Sequence, residues 1–507
     1  MKIERTKNAT KNIFFGMLLK IYQIIVPFLM RTALIYCLGV EYLGLDSLFV
    51  SILQILNLVE LGVGSAMVFS MYKPIAKDDT VTICALMKLY KIYYRIIGLV
   101  ILVIGLIICP IIPNLIKSDL PEGLNVYVLY IMNLLATVLS YWLFAYKNCL
   151  LQAHQRNDVT SKVTMSVYTL RYVAQFLVLF FIKDYYIYLL ITLISQALIN
   201  IATALVVNKI YPNYKAEGNL DKNVIKDINQ RVKDLFTAKI GSVVVNSADT
   251  VVISAFLGLT ALAIYQNYYY IITSIIGIVG VIFTSCSAGI GNSLVVETSD
   301  KNYNDLKKFT FLITWLSGVC TCLLLCLFQP FMIWWVGEEL LLSFSCVICL
   351  CIYYYVYEVN SLFMSYKDSA GIWHKDRFRP LVTALTNLIM NLILVNIIGI
   401  YGVILSTVLS YLLIGMPWVI YNLFTEVFKR NAKEYIFKLL KYTLTVGFMA
   451  VVSYGVCSFI TGFSIISIIG RALICGAITN IIWIGLYRKT DEMKGVLGIL
   501  KRILKKK

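Results

Sequence analysis

Residues 96–116 read IIGLVILVIGLIICPIIPNLI, twenty-one positions without a single charge. At about 1.5 Å of rise per residue, a helix of this length crosses the roughly 30 Å hydrocarbon core of a bilayer. Comparable apolar runs recur along the whole chain. They fall at 12–36, 43–69, 88–114, 124–146, 163–182, 185–207, 236–256, 260–287, 309–333, 341–366, 380–398, 402–425, 440–460 and 464–487. Only helices and closed barrels satisfy their backbone groups inside lipid. The expected fold is therefore all-α and polytopic, with about fourteen transmembrane helices.

Composition agrees. Of 507 residues, 60% are hydrophobic and 14% charged, with a mean hydropathy of +0.80. A soluble globular chain carries roughly 25% charged residues, so most of this chain lies where charge is expensive. The net charge of +18 does not point to nucleic acid, because the basic residues form short clusters between apolar runs rather than one basic face. The 13 cysteines are an odd number, and nearly all sit inside apolar runs. Cys346, Cys349 and Cys351 include a C-x-x-C spacing, and Cys320, Cys322 and Cys326 cluster nearby. Without polar partners these read as small helix residues, not as a metal or redox site. The basic segment Met1–Lys11 precedes an apolar run too long for a signal-peptide core and lacking a small-residue cleavage site, so it reads as a retained first helix.

Loop charge orients the spans. Lysine and arginine crowd one alternate set of loops, whereas the opposite set holds Lys117 and Lys183. Both termini are then expected to be cytoplasmic, and the short opposite loops leave no room for an external catalytic domain. The longest hydrophilic segment follows the sixth run. The chain divides on this reading into an N-terminal lobe (1–207), a cytoplasmic connecting segment (208–235), a C-terminal lobe (236–425), two additional helices (426–487) and a basic tail (488–507). From Asp491 to Lys507 apolar and basic residues interleave, which suits either the inner-leaflet surface or a solvated tail.

A half-chain repeat supports two lobes. Leu38-Gly39 and Leu257-Gly258 stand 219 residues apart at the ends of the first and seventh runs. The two histidines of the chain, His154 and His374, are 220 apart in corresponding loops. Duplication of a six-helix unit gives two pseudo-symmetric lobes of one orientation, an architecture suited to alternating access around a central cavity.

Ionisable residues inside spans are functional candidates by default. Lys20, Arg95, Lys239 and Arg471 lie near helix ends and are expected to snorkel to headgroups. Arg31 and Asp249 fall at similar depth on corresponding helices; they read as a substrate contact and its tuning or ion-binding partner, or as a structural ion pair. Pro27, one turn before Arg31, is expected to kink the first helix. Arg171, with Gln175 one turn on, is a second cavity candidate. Glu60 and Glu358 either pair with a basic neighbour or carry a coupling proton. The tyrosine runs at 268–270 and 353–355, with Tyr357, read chiefly as membrane-interface residues. No metal or cofactor is expected, and a proton or sodium gradient stays open as an energy source.

The chain resembles polysaccharide-type flippases (Wzx-type) of the multidrug/oligosaccharidyl-lipid/polysaccharide (MOP) exporter superfamily. The resemblance rests on Leu38-Gly39-Val40-Glu41-Tyr42-Leu43-Gly44, Glu60-Leu61-Gly62, Tyr72-Lys73-Pro74, Asn246-Ser247-Ala248-Asp249, Gly291-Asn292, and Ala370-Gly371-Ile372-Trp373-His374-Lys375-Asp376-Arg377 leading into Pro380. It implies a bacterial cytoplasmic-membrane protein that transfers undecaprenyl-pyrophosphate-linked oligosaccharide to the outer leaflet. Arg31 and Arg171 would then meet pyrophosphate or acidic sugars in a cationic cavity. The partners implied are the lipid-linked oligosaccharide, membrane lipids, and a polysaccharide polymerase with glycosyltransferases. A lipid II flippase and an organic-cation or multidrug exporter of the same superfamily are the alternatives, the latter disfavoured by the two arginines. A polymerase or glycosyltransferase lacks its large external loop here, and no P-loop appears for a nucleotide-driven pump.

Overall fold

The computed structural model describes residues 5–496 and 498, apart from 61, 118, 119 and 122. Every regular element in it is helical. The chain begins with α1 (Arg5–Cys37), α2 (Val40–Leu56), α3 (Val63–Ala76), α4 (Thr80–Ile108), α5 (Val126–Trp142) and the short α6 (Asn148–Ala153). Next come α7 (Asn157–Leu177), α8 (Tyr185–Ile210), α9 (Lys222–Leu257), α10 (Leu259–Val296), α11 (Ser299–Val336), α12 (Phe344–Ser369) and the one-turn α13 (Trp373–Asp376). The remainder is α14 (Arg379–Ser410), α15 (Met416–Asn422), α16 (Lys433–Cys457) and α17 (Ile465–Tyr487).

Local chemistry sets the boundaries. Asp79 caps α4 by accepting from Thr82 N at 3.0 Å, and Asp184 caps α8 by accepting from Ile187 N at 2.9 Å. Gly39 (φ 129°, ψ 164°) and Gly258 (φ 92°, ψ 176°) each form a one- or two-residue break between helices, in nearly the same backbone conformation. A side chain would be strained at that φ. The two glycines that stand 219 residues apart in sequence therefore do the same geometric task.

Ten helices are long and apolar enough to span a bilayer among the described residues, or eleven if Val126–Trp142 and Ala145–Ala153, bent by 46°, form one span. Besides that bent pair, the apolar runs and these spans differ in number at three places. The run 43–69 is broken by a 3-10 turn at Asn57–Glu60 and by left-handed Gly62, which leaves α2 and α3 at 17 and 14 residues. The run 236–256 lies on α9, of which Ser247–Leu257 is an apolar helix among the described residues, the side chains of 237–246 lying outside them. The 49-residue stretch Arg379–Val427 holds two helices that meet at a kink with non-helical angles at Ile398 and Gly399, between the runs 380–398 and 402–425.

Contacts divide the chain into two compact units, Met1–Ala263 and Ile264–Lys507. In the first, α1 lies along α7 and against α2, α5 packs between α4 and α8, and α9 packs on α2 and α3. Helix α9 thus belongs to the first unit by its packing. Small residues permit close approach: a Cβ on Gly44 would sit 2.2 Å from the Leu259 carbonyl oxygen, at the start of α10.

In the second unit α11 is central, packed on α12, α16 and α17. Phe311, Tyr442, Trp483 and Tyr487 form one aromatic cluster, with ring centroids 4.8–5.8 Å apart. Trp315 Nε1 donates to Asn480 Oδ1 at 3.1 Å. The last two helices are therefore structural members of this unit. Tyr268, Tyr353, Tyr354 and Tyr355 are buried in its interior rather than at an interface. Tyr268 donates to Gln329 Oε1 at 2.9 Å, which satisfies its hydroxyl.

Many large apolar side chains, including Phe181, Phe437, Leu444, Ile466 and Leu473, point outward and are seven-tenths or more exposed. Exposure on that scale fits hydrocarbon, not water. Lys20 and Arg95 are exposed as a snorkelling residue should be, whereas Arg471 is buried at 6% exposure. The side chains of Lys239 and His374, and the tail beyond residue 498, lie outside the described residues. All 13 cysteines are free, and no group of metal-ligating residues occurs among the described residues.

Candidate functional site

The first unit gathers three charges from three helices. Arg31 projects from α1 after the lone proline, Pro27, which lies inside the continuous helix. Arg171 projects from α7, the helix against which α1 packs. Asp46, near the start of α2, experiences both guanidiniums electrostatically, Arg171 more strongly than Arg31. All three side chains are half-buried, so none is sealed from an incoming ligand.

Arg171 is held in place. Its Nε donates to Gln175 Oε1 at 3.1 Å, one turn on. Gln175 is fully buried, and its Nε2 donates to Thr192 Oγ1 at 2.8 Å and to the Tyr188 carbonyl oxygen at 3.1 Å, both on α8. The rings of Tyr168 and Tyr172 lie 5.7 and 5.1 Å from the guanidinium carbon, close enough for cation–π attraction. Tyr42, Tyr185 and Tyr188 form an adjoining aromatic wall, with centroid separations of 5.1 and 5.9 Å. The Tyr185 hydroxyl is buried without a hydrogen-bond partner among the described residues. Two cations, one anion and stacked tyrosines make a site of net positive charge with faces for a ring-shaped ligand.

Asp249 is buried on α9, the helix that packs on α2 and α3 in the same unit. Two residues earlier, Ser247 Oγ donates to Gln54 Oε1 at 3.5 Å. The end of α9 is pinned by Ser254 Oγ, which donates to the Leu115 carbonyl oxygen at 2.7 Å, and by Lys117 Nζ, which donates to the Phe256 carbonyl oxygen at 2.5 Å.

Glu60 ends the 3-10 turn that breaks α2 from α3 and accepts from Tyr94 Oη at 3.2 Å. It lines a cavity of about 240 Å³ with Tyr90, Tyr94, Asn148 and Gln152. Glu358 lies in the second unit on α12, 1% exposed, one turn after Tyr354 and close to Cys320 of α11. Its Oε1 has no hydrogen-bond partner among the described residues.

Sequence reasoning thus found both arginines of the cluster and missed Asp46. The carboxylate lies within a turn of the edge of the run 43–69 and was not among the ionisable candidates. The available signal was helical spacing, since it follows the Gly39 break by seven residues and Arg31 precedes that break by eight.

An all-helical, multi-span membrane protein of this architecture has counterparts among solved structures, all at low identity. The lipid II flippase MurJ in an inward closed conformation superposes with a TM-score of 0.66 at 16% identity, covering 94% of this chain and 99% of that one. An inward-facing multidrug resistance MATE family transporter of the MOP superfamily gives 0.61 at 13%, covering 77% and 92%. A mutant of the Vibrio cholerae MATE transporter VcmN gives 0.58 at 13%, covering 84% and 99%. No curated protein sequence matches the chain. The fold is that of the MOP transporters. Residues 9–288, more than half of the chain, match the family described as polysaccharide biosynthesis protein, and the chain belongs to that family. It is a multi-span membrane protein of the polysaccharide biosynthesis family with the fold of the MOP transporters.

Proposed function

We propose that this transporter moves undecaprenyl-pyrophosphate-linked oligosaccharide repeat units from the cytoplasmic to the outer leaflet of the bacterial cytoplasmic membrane. The supporting observation is the Arg31–Asp46–Arg171 cluster in a protein of the polysaccharide biosynthesis family. Diphosphate oxygens suit the planar, always-charged guanidinium, and sugar rings suit the tyrosine faces beside it. Asp46 holds the two cations at a common place when no ligand is present, and the ligand's phosphates take over that role. Fourteen helices, grouped as six, six and two with both termini cytoplasmic, work by alternating access. Polymerase and glycosyltransferases of the same surface glycan are the functional partners.

The test is a deletion strain complemented by variants. Arg31→Ala and Arg171→Ala should leave lipid-linked repeat units on the inner leaflet, with surface glycan lost and transporter abundance unchanged. Normal export by both would remove the substrate-contact role. The likeness to MurJ over nearly the whole chain gives a second reading, lipid II as substrate. Restored peptidoglycan synthesis in a strain depleted of its lipid II flippase would favour it over the glycan reading.

A further inference from the structure

The final helix pair carries a cation that the site above does not use. Arg471 lies in the second turn of α17 and is 94% buried by the protein itself. Its Nη2 donates to the Ile460 carbonyl oxygen, and its guanidinium carbon lies 5.9 Å from the Phe463 ring. Its Nη1 is buried without a hydrogen-bond partner among the described residues. Arginine does not deprotonate to relieve such burial, and a buried charge is stable only when something pairs with it.

Arg471 lines a cavity of about 240 Å³ among α11, α12, α16 and α17, all within the second unit. The lining contains no carboxylate and no second base. Two of its other polar groups are engaged: Gln329 Nε2 donates to the Leu342 carbonyl oxygen at 2.7 Å, and Ser458 Oγ to the Gly455 carbonyl oxygen at 2.7 Å. What the cavity offers is one buried positive donor. Its rim is aromatic and outward-facing, with Phe344, Tyr454 and Phe463 37–44% exposed. These residues stand at the ends of helices, where aromatic side chains meet the headgroup layer of a membrane.

We propose that this cavity binds the phosphodiester headgroup of an anionic phospholipid, with Arg471 Nη1 donating to a phosphate oxygen. A single cation matches a monoanion better than a diphosphate, which would call for further bases. The apolar rim matches the glycerol and acyl portion that follows the phosphate. The site is independent of the transported substrate and gives the last two helices a lipid-anchoring task.

The test is native mass spectrometry of the full chain in detergent, titrated with phosphatidylglycerol, phosphatidylcholine or inorganic phosphate. Phosphatidylglycerol should bind the wild type about tenfold more tightly than Arg471→Gln, the loss expected for one charge-assisted hydrogen bond. Arg471→Lys should retain part of the preference, and Arg488→Gln, at an exposed cation, should retain all of it. Equal binding by the wild type and Arg471→Gln overturns the proposal. So does equal preference for phosphatidylcholine, displacement by millimolar phosphate, or tighter binding of a polyprenyl diphosphate at Arg471. Should Arg471→Gln fail to fold, Ser458→Phe fills the cavity mouth while keeping the arginine, and must lower phosphatidylglycerol binding in the same way; unchanged binding overturns the site.

Discussion

Arg379 Nε donates to both oxygens of the Asp376 carboxylate, at 2.8 and 3.0 Å, and both side chains are buried. Lys367 Nζ lies 3.5 Å from the same carboxylate, and Asn422 Nδ2 donates to it at 3.3 Å. The loop between α12 and α14 is thereby tied to α12, α14 and α15. A related clamp occurs at the start of α7, where fully buried Asp158 accepts from Arg156 Nε at 2.9 Å and lies 3.6 Å from Lys162 Nζ.

Removing the shared carboxylate should therefore be severe. Asp376→Ala leaves buried Arg379 without its carboxylate, a loss of about 3–5 kcal/mol for a broken buried pair, while Lys367 keeps Asp368 at 2.8 Å. The expected outcome is a large fall in thermal midpoint and in yield after detergent extraction. Lys375→Ala, which removes the exposed contact of Lys375 with Glu426, should leave both unchanged. A mild Asp376→Ala phenotype would show that the network does not hold the unit together.

Asp46 supplies a test of the charge cluster that the arginines alone do not. Asp46→Asn keeps the shape and removes the negative charge facing Arg171 and Arg31. Export should fall while abundance persists, because the resting site loses its counter-charge. Arg171→Lys should also fail, since a point ammonium cannot reproduce the donor fork that binds Gln175. The expected loss is about ten- to a hundredfold in apparent substrate affinity. Full export by Asp46→Asn would separate the carboxylate from the mechanism.

The spans were legible because twenty apolar residues in a row have few other fates. What interrupts them was not. Asn57–Glu60 and Gly62 break a run whose hydropathy stays high throughout, and only backbone conformation reveals it. Arg31 and Arg171 were recognisable as charges deep in apolar runs, whereas Asp46 was masked by its nearness to a boundary. Arg471 was misplaced for the opposite reason: depth from a helix end says nothing about which neighbours cover a side chain. Asp376 entered only through the loop motif that carries the family resemblance and its pairing with Arg379 was not foreseen, because pairing across three helices leaves no periodic trace in sequence.

Gly44 should not tolerate a side chain. Its added Cβ would meet the Leu259 carbonyl oxygen at 2.2 Å, backbone that cannot swing aside. Overpacking of this kind costs about 1–3 kcal/mol. Gly44→Ala should lower the thermal midpoint, whereas Gly16→Ala, with nothing within 4 Å of its Cβ, should not. Equal behaviour of the two would refute the close packing of α2 on the start of α10.

Glu358 separates coupling from architecture. With no partner on Oε1, Glu358→Gln removes no hydrogen bond from that oxygen and should preserve yield and thermal midpoint. If the carboxyl carries a coupling proton, transport in proteoliposomes should lose its dependence on a proton gradient. Retained gradient dependence would assign Glu358 a purely structural place.

His154 predicts an acid-sensitive step outside the membrane-spanning segments. The ring is 4% exposed, stacked 4.5 Å from Tyr211, with Nδ1 placed 2.9 Å from the Leu150 carbonyl oxygen. Burial lowers its pKa from the ordinary 6.5. The folded state therefore favours the neutral ring, and below 6.5 the unfolded chain binds more protons than the folded one. The stability from this group is present above the ordinary value and is lost as pH falls through it toward the depressed folded value, below which the loss stays constant. The thermal midpoint of the wild type in detergent should accordingly decline over that window. His154→Gln, which cannot charge, should flatten the decline at some cost in stacking, and an identical pH slope in the two proteins would place the acid sensitivity elsewhere.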